Sequence, residues 1–442
     1  MASDLPDPFA AKPAAAPASV PPADRRAIAA WCVYDWASNA WPTVISSFVF
    51  AAYVTREVAP NPEVGTAWWG TSTAIAGIVV ALLSPLLGAI ADRSGRRKPW
   101  VGAFTALTVA VAALLWTIAP EADLLLRASV LIALGTAVFE LSQVFYNAML
   151  REIAPAGKLG RVSGWAWALG YAGGLTCLST CLVLLVFPEP PLFGLDAAAA
   201  EPVRASALVV AAWFALFSLP FFLIVPDRPA SGLSMRAAAR AGLAQLIASL
   251  KRIWPDHRGI AHYLIARMIY TDGLNTLFTF GGVYAAGTFG MGFRDILIFG
   301  IVLNVAAGLG AMTFAWVDDW LGPKRTIQIS LIALIGFGVA ALAADTVSAL
   351  YLAGCGLGLF IGPAQSASRS MMARMAPAHL QTEMFGLYAL SGKATAWMGP
   401  ALVGWVTLWA GSQRAGMATI LLFFVVGLAL LWRIPAPKRE AA

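Results

Sequence analysis

The chain has 442 residues, of which 59% are hydrophobic and 12% charged, against roughly 45–50% and about 25% in an ordinary soluble domain, so a soluble protein of this length is excluded. The net charge of +7, from 30 Lys and Arg against 23 Asp and Glu, is not gathered into one basic patch, and nucleic acid is not an expected partner. The basic residues recur in short loops between long apolar segments, as in a chain whose solvent is lipid.

From the N-terminus, residues 1–26 are rich in Ala and Pro and lack the apolar core of a signal peptide, so they read as a disordered cytoplasmic tail. A helix needs about 20 mostly apolar residues to cross ~30 Å of hydrocarbon. Twelve segments qualify: 28–55, 66–91, 99–119, 125–150, 160–187, 205–225, 259–286, 294–317, 326–344, 347–372, 384–409 and 415–433. The longest interruption, 226–258, carries Arg228, Arg236, Arg240, Lys251, Arg252 and Arg258 and reads as a cytoplasmic linker. It separates an expected N-terminal bundle (27–225) from a C-terminal bundle (259–433), with a second cytoplasmic tail at 434–442. Cys32, Cys177, Cys181 and Cys355 all lie inside apolar runs, without the spacing of a zinc site or a disulfide framework, and read as packing residues.

Orientation follows from the retention of positive loops in the cytoplasm. One side holds 22 Lys and Arg; the other holds five, namely Arg56, Arg127, Arg204, Arg294 and Arg414. Both termini are therefore expected in the cytoplasm, and the protein in the inner membrane.

The loop after the second span reads Asp92-Arg93-Ser94-Gly95-Arg96-Arg97-Lys98, and the loop after the eighth reads Asp318-Asp319-Trp320-Leu321-Gly322-Pro323-Lys324. A shift of 227 places Asp92 on Asp319, Gly95 on Gly322 and Arg97 on Lys324. A shift of 222 places Gln143 on Gln365, Met149 on Met371 and Gly164 on Gly386. Two matches at nearly one offset make the chain two six-span halves in parallel orientation, as in transporters that rock two bundles about a central site. The expected fold class is an all-α integral membrane protein of twelve transmembrane helices in two pseudo-symmetric six-helix bundles.

The Asp92 to Lys98 loop resembles the signature loop of the major facilitator superfamily. More narrowly, Tyr34-Asp35-Trp36-Ala37-Ser38-Asn39-Ala40, Tyr270-Thr271-Asp272-Gly273-Leu274-Asn275, Trp397-Met398-Gly399-Pro400 and Ser412-Gln413-Arg414 resemble the bacterial branch of the autophagy-related, vacuole-effluxer-like permeases. The resemblance implies a small-solute permease, and fungal relatives are associated with amino-acid export from the vacuole. It also implies that spans one, four, seven and ten line a central cavity, and that the Asp92 loop, with Arg93, Gly95, Arg96 and Arg97, latches the cytoplasmic side. In the second half Pro323 stands where Arg96 does, so a weaker latch is expected at Asp319.

An ionisable side chain inside a span costs ~2.5–3.5 kcal/mol on insertion scales. Asp35, Glu140, Arg267, Asp272, Arg369 and Lys393 are such residues. Glu140, Gln143 and Asn147 follow i, i+3, i+7 and share one helix face; Asp35 with Asn39 and Asp272 with Asn275 give shorter versions. Each acid has two readings: a proton site or solute ligand in a cavity, or half of a buried ion pair with Arg267 or Arg369. Asp272 is the expected proton-coupling residue, and Asp35 with Asn39 the expected solute contact. Arg369, a few residues from a loop, is expected to snorkel to the interface.

No nucleotide-binding, metal or catalytic-triad spacing is present, so neither enzyme chemistry nor a cofactor is expected. The expected partners are a small-molecule substrate, protons as coupling ion and the lipid bilayer, with the chain acting as a monomer. A lipid scramblase or flippase, or a non-transporting sensor derived from a permease, are the alternatives.

Overall fold

The computed structural model describes residues 24–155 and 157–436, which are almost entirely helical, with no strand among them. The tails expected at each end lie almost wholly outside the described residues. The first half contains α1 (Arg25–Ser38), α2 (Pro62–Ser94), α3 (Lys98–Leu115), α4 (Leu125–Ala148), α5 (Leu159–Cys181) and α6 (Glu201–Ile224). Next comes α7 (Met235–Asp256), within the expected linker, started by a Ser234 cap. The second half contains α8 (Arg258–Phe289), α9 (Phe293–Leu321), α10 (Pro323–Ala343), α11 (Val347–Met375), α12 (Gln381–Lys393), α13 (Met398–Ala410) and α14 (Gln413–Trp432).

Local chemistry sets many of these ends. The Asn61 side chain accepts from the Val64 N–H and Pro62 opens α2, a capped start with a proline that forfeits no bond. The same helix ends at Gly95, whose φ of +89° suits a residue without a Cβ.

Among the described residues nine helices are long and apolar enough to cross a membrane, corresponding to nine of the twelve expected spans. The other three depart from a plain apolar helix for identifiable reasons. Span one leaves α1 at Asn39 and continues as a wider π-helical stretch, Trp41–Phe48, opened by Pro42. Span seven is one helix of 32 residues, α8, but it carries Arg258, Arg267 and Asp272. Span eleven is broken at 394–397 into α12 and α13.

Within the first half α1 packs on α5 and α6, and α4 on α2 and α3. The second half repeats the scheme, with α11 against α9 and α10, and α14 against α8 and α10. The halves meet along two long seams, α2 with α12 and α5 with α9. Leu82, Leu126, Leu223, Leu352 and Leu408 are among the large apolar residues exposed on the outer surface. That surface suits lipid, and every helix satisfies its own backbone within it.

Small residues let the seams close. A Cβ added to Gly164 would lie 2.5 Å from the Ala311 carbonyl oxygen, and one added to Gly386 would lie 2.4 Å from the Ser84 carbonyl oxygen. Gly164 and Gly386 are repeat mates, and so are Ser84 and Ala311 under the shift of 227. The two seams are thus copies of one contact, each needing a residue with no side chain at the crossing.

Candidate functional site: a central polar cavity with one end latched

Among the helices that start without a side-chain cap of their own, three at the site take a carboxylate from another element. At α12 the Thr382 N–H and Glu383 N–H donate to Asp92 at 3.2 and 2.9 Å, and the Thr382 hydroxyl donates at 2.7 Å. At α5 the Gly160 and Arg161 N–H groups donate to Asp319 at 2.8 and 3.3 Å, and the Arg161 Nε at 3.1 Å. At α13 the Gly399 N–H donates to Asp272 at 3.2 Å. A carboxylate on unpaired N–H groups at a helix start is favourable twice over, by hydrogen bonding and by the helix dipole.

Asp92 and Asp319 act between the halves, at the same end of the molecule. Asp319, where the sequence predicts a weaker contact, accepts four hydrogen bonds, as many as Asp92. Its cations come from Arg161 and from Arg374, 3.4 Å from Asp319, in place of the missing loop arginine, and Pro323 costs nothing at the first position of α10.

Of the first-half loop cations only Arg97 is central. It is buried, 3.1 Å from Asp92; it also pairs with Glu152 and donates to the Thr382 hydroxyl at 2.7 Å. Glu152 pairs in turn with Arg228. Gly95 packs so closely that a Cβ would lie 2.4 Å from the Pro229 carbonyl oxygen. Arg96 is exposed, and Arg93 is half-buried with its Nε unpartnered.

Beyond the latched end lies a cavity of about 560 Å³ between the halves. Asp35, Asn39, Glu140, Gln143, Asn147, Arg267, Asn275, Arg369 and Lys393 all line it. The i, i+3, i+7 stripe on α4 therefore faces this space as its spacing implies. Asp272 does not line it. It is 1% exposed and turned toward α13. Five residues at ~100° each put it about 140° around α8 from Arg267, so the two cannot share a face. Depth and motif together did not fix its direction.

Arg369 does not snorkel either. It is 2% exposed and points inward, donating to Asp35 at 2.9 Å, to Asn147 at 3.1 Å and to the Ser163 hydroxyl and carbonyl at 2.9 and 2.6 Å. Its guanidinium also sits 5.1 Å from the Trp31 ring centre. This one side chain ties α11 to α1, α4 and α5. Asn39 is occupied locally, its amide donating to the Asp35 carbonyl at 2.9 Å. Lys393 crosses the cavity to Glu140 at 2.9 Å, and both remain about a third exposed, at 28% and 30%. Arg267 reaches the Tyr388 carbonyl at 2.6 Å and the Ser391 hydroxyl at 2.8 Å.

Several lining groups escaped the sequence reading. Tyr171, Asn304, Gln365, Ser368 and Tyr388 contribute polar atoms, with the Tyr171 hydroxyl donating to Gln365 at 2.6 Å. Gln365 had a signal, since it is the repeat mate of Gln143. Asp227 was also missed; it accepts from the Arg97 and Lys98 N–H groups at the start of α3, at 2.9 and 3.2 Å.

An all-helical chain of two halves, clamped at one end by paired carboxylate caps around a polar, charge-bearing cavity, is a multi-pass membrane permease of the major facilitator superfamily. The superfamily's sequence model matches residues 6–177. The chain belongs to the vacuole effluxer Atg22 like family, whose model matches residues 152–442. It is 27% identical over 409 residues to the MFS-type transporter YxiO of Bacillus subtilis (strain 168), covering 92% of this chain and 94% of that one. It is 25% identical over 306 residues to Autophagy-related protein 22 of Cryptococcus neoformans, covering 64% of this chain and 54% of that one. The match thus spans about half the length of the fungal relative. Among solved structures, the proton:xylose symporter XylE bound to 6-bromo-6-deoxy-D-glucose superposes with a TM-score of 0.71 at 14% identity, covering 94% of this chain and 97% of that one. The transporter FucP in its outward conformation gives 0.69 at 14%, covering 92% and 98%. At these identities the likeness is one of fold.

Proposed function

We propose that the protein is a secondary active transporter that carries a small polar solute through the central cavity by alternating access, driven by protons. The distribution of 22 against five cations supports a chain with both termini and the 226–258 linker in the cytoplasm, in the inner membrane. In that orientation the Asp92 and Asp319 latches close the cytoplasmic side, and the cavity belongs to an outward-facing state. The two halves, 27–225 and 259–433, are read as the bodies that rock.

One observation carries the coupling. The Glu140–Lys393 pair joins α4 of one half to α12 of the other, and at about a third exposure it is open to the cavity. Protonating Glu140 would remove the charge that holds Lys393 and so release one tie between the halves. The Asp35–Arg369 pair, with side chains 6% and 3% exposed, is shut off from water and suits a permanent joint. Two inter-half ion pairs of unequal exposure thus divide the roles expected of Asp272 and Asp35.

Uptake profiling of a deletion strain against amino acids, peptides and sugars identifies the cargo, and liposomes carrying the purified protein then measure coupling. Glu140→Gln is expected to keep solute exchange at zero gradient and to lose accumulation driven by a pH gradient. Accumulation by the variant with an unchanged dependence on the gradient would remove Glu140 from the mechanism.

A further inference from the structure

Three cations and two acids line the central cavity. Asp35 is taken by Arg369 and Glu140 by Lys393, each at 2.9 Å. Arg267 is the cation left over, with no carboxylate beside it among the described residues. It is 9% exposed. One of its terminal nitrogens donates to the Tyr388 carbonyl and the Ser391 hydroxyl, the guanidinium carbon lies 3.3 Å from the Tyr388 ring centre, and the buried Nε has no partner. A carbonyl, a hydroxyl and a ring orient a guanidinium without neutralising it. A full charge so little exposed and without a counter-charge is strongly disfavoured, and unpaired charges within a membrane mark solute or ion pathways.

The surroundings leave room for that ligand. Gly392 stands beside the guanidinium, where a Cβ would come within 3.1 Å of a terminal nitrogen, and its lack of a side chain keeps Arg267 open toward the cavity it lines. The planar fork of arginine matches the two oxygens of a carboxylate. Thr271 and Asn275, on the same face of α8, add neutral polar groups to the same space.

The charge count also limits the rest of the solute. Both cavity acids already have partners, so no acid is left to receive an ammonium group, and a zwitterion would bring one charge too many. We infer that Arg267 is the seat of a carboxylate, and that the solute is an organic monoanion with an otherwise uncharged body. As a statement about cargo this rests on the transporter reading; as a statement about binding it does not.

The test uses the purified full chain in lipid nanodiscs, with thermal unfolding as readout and ionic strength matched by sodium chloride. Four probes are compared: sodium 4-methylpentanoate and sodium benzoate as carboxylates, 4-methylpentanamide as the neutral counterpart, and L-leucine as the zwitterion on the same skeleton. At least one carboxylate is expected to raise the midpoint by several degrees, with no response to the amide and a smaller one to leucine. Arg267→Gln should lose the response. Ser391→Asp, which fixes a carboxylate against the guanidinium, should melt higher than wild type without ligand and no longer respond. The inference is overturned if neither carboxylate stabilises the wild type, if the amide or leucine stabilises it as well as 4-methylpentanoate, or if Arg267→Gln keeps the response. Should that variant fail to fold, a Ser391→Asp protein that still responds to carboxylates has the same force. Carboxylate binding without flux in liposomes would leave the anion seat standing and sink the transporter reading; flux confined to neutral solutes would do the reverse.

Discussion

The latch gives the most direct prediction. Asp92 accepts three hydrogen bonds from the start of α12 and a fourth from Arg97. Asp92→Asn removes the charge and turns an amide N–H toward at least one of those donors. A hydrogen bond to a charged group contributes about 1.5–3 kcal/mol and a charge at a helix start about 0.3–1 kcal/mol, rising to ~2 in partly buried geometry. Because asparagine keeps one acceptor, the net loss should be about 2 kcal/mol, felt only when this end is closed. That is a shift of roughly 30-fold in the closed-to-open ratio. The assay is the rate at which a membrane-impermeant thiol reagent, added from the linker side, modifies Thr271→Cys. Thr271 lines the cavity, and Cys32, Cys177, Cys181 and Cys355 are replaced by Ser. Labelling should rise tens-fold in Asp92→Asn and comparably in Asp319→Asn. Since both act on one equilibrium, the double variant should add their free energies until the open state dominates and the rate levels off. An unchanged rate in a well-expressed Asp92→Asn protein would refute the latch, and a large effect of Asp92 with none of Asp319 would refute its symmetry.

Other consequences can be measured with the same material. Asp35→Asn leaves Arg369 buried without its counter-charge and should cost about 3–5 kcal/mol of stability, read as a lowered melting midpoint; adding Arg369→Gln should recover part of it. Asp272→Asn keeps an acceptor for the Gly399 N–H and should leave gradient-driven accumulation intact, whereas Asp272→Ala should lose about 1 kcal/mol as a missing cap; loss of coupling in the Asn variant would return Asp272 to the proton path. Glu383, ahead of the eleventh span and covered by α7, has its carboxyl pushed up to about 7 by burial. A raised carboxyl favours the closed, protonated arrangement, fully so below its ordinary range near 4.5, and that support fades as pH rises through about 7. Thiol labelling of Thr271→Cys, corrected for reagent chemistry, should therefore quicken between pH 6 and 8, and Glu383→Gln should flatten the profile.

Much of this architecture was legible because one physical demand occurs twice. Helices α5 and α12 both begin without caps of their own, and the residues that supply them, Asp319 and Asp92, stand at equivalent positions of the repeat; so do Gly164 and Gly386 at the crossings. The stripe of Glu140, Gln143 and Asn147 was also legible, since three residues at helical spacing fix a direction as well as a depth. Asp272 shows what is lost when only a short stretch is polar. Depth and the Asp272-Asn275 spacing carried too little information about rotation, and the partner that decides its direction is the break in span eleven at 394–397, invisible in an apolar run. Arg369 failed for a different reason. Proximity to a loop suggested an escape to the interface, yet escape needs a helix face turned to lipid. The run Ala364-Gln365-Ser366-Ala367-Ser368-Arg369-Ser370 has small residues on nearly every side, and all of it except Gln365 is buried. A helix so lined is packed all round. An arginine there has nowhere to go but inward, and a carboxylate on the facing half follows almost of necessity.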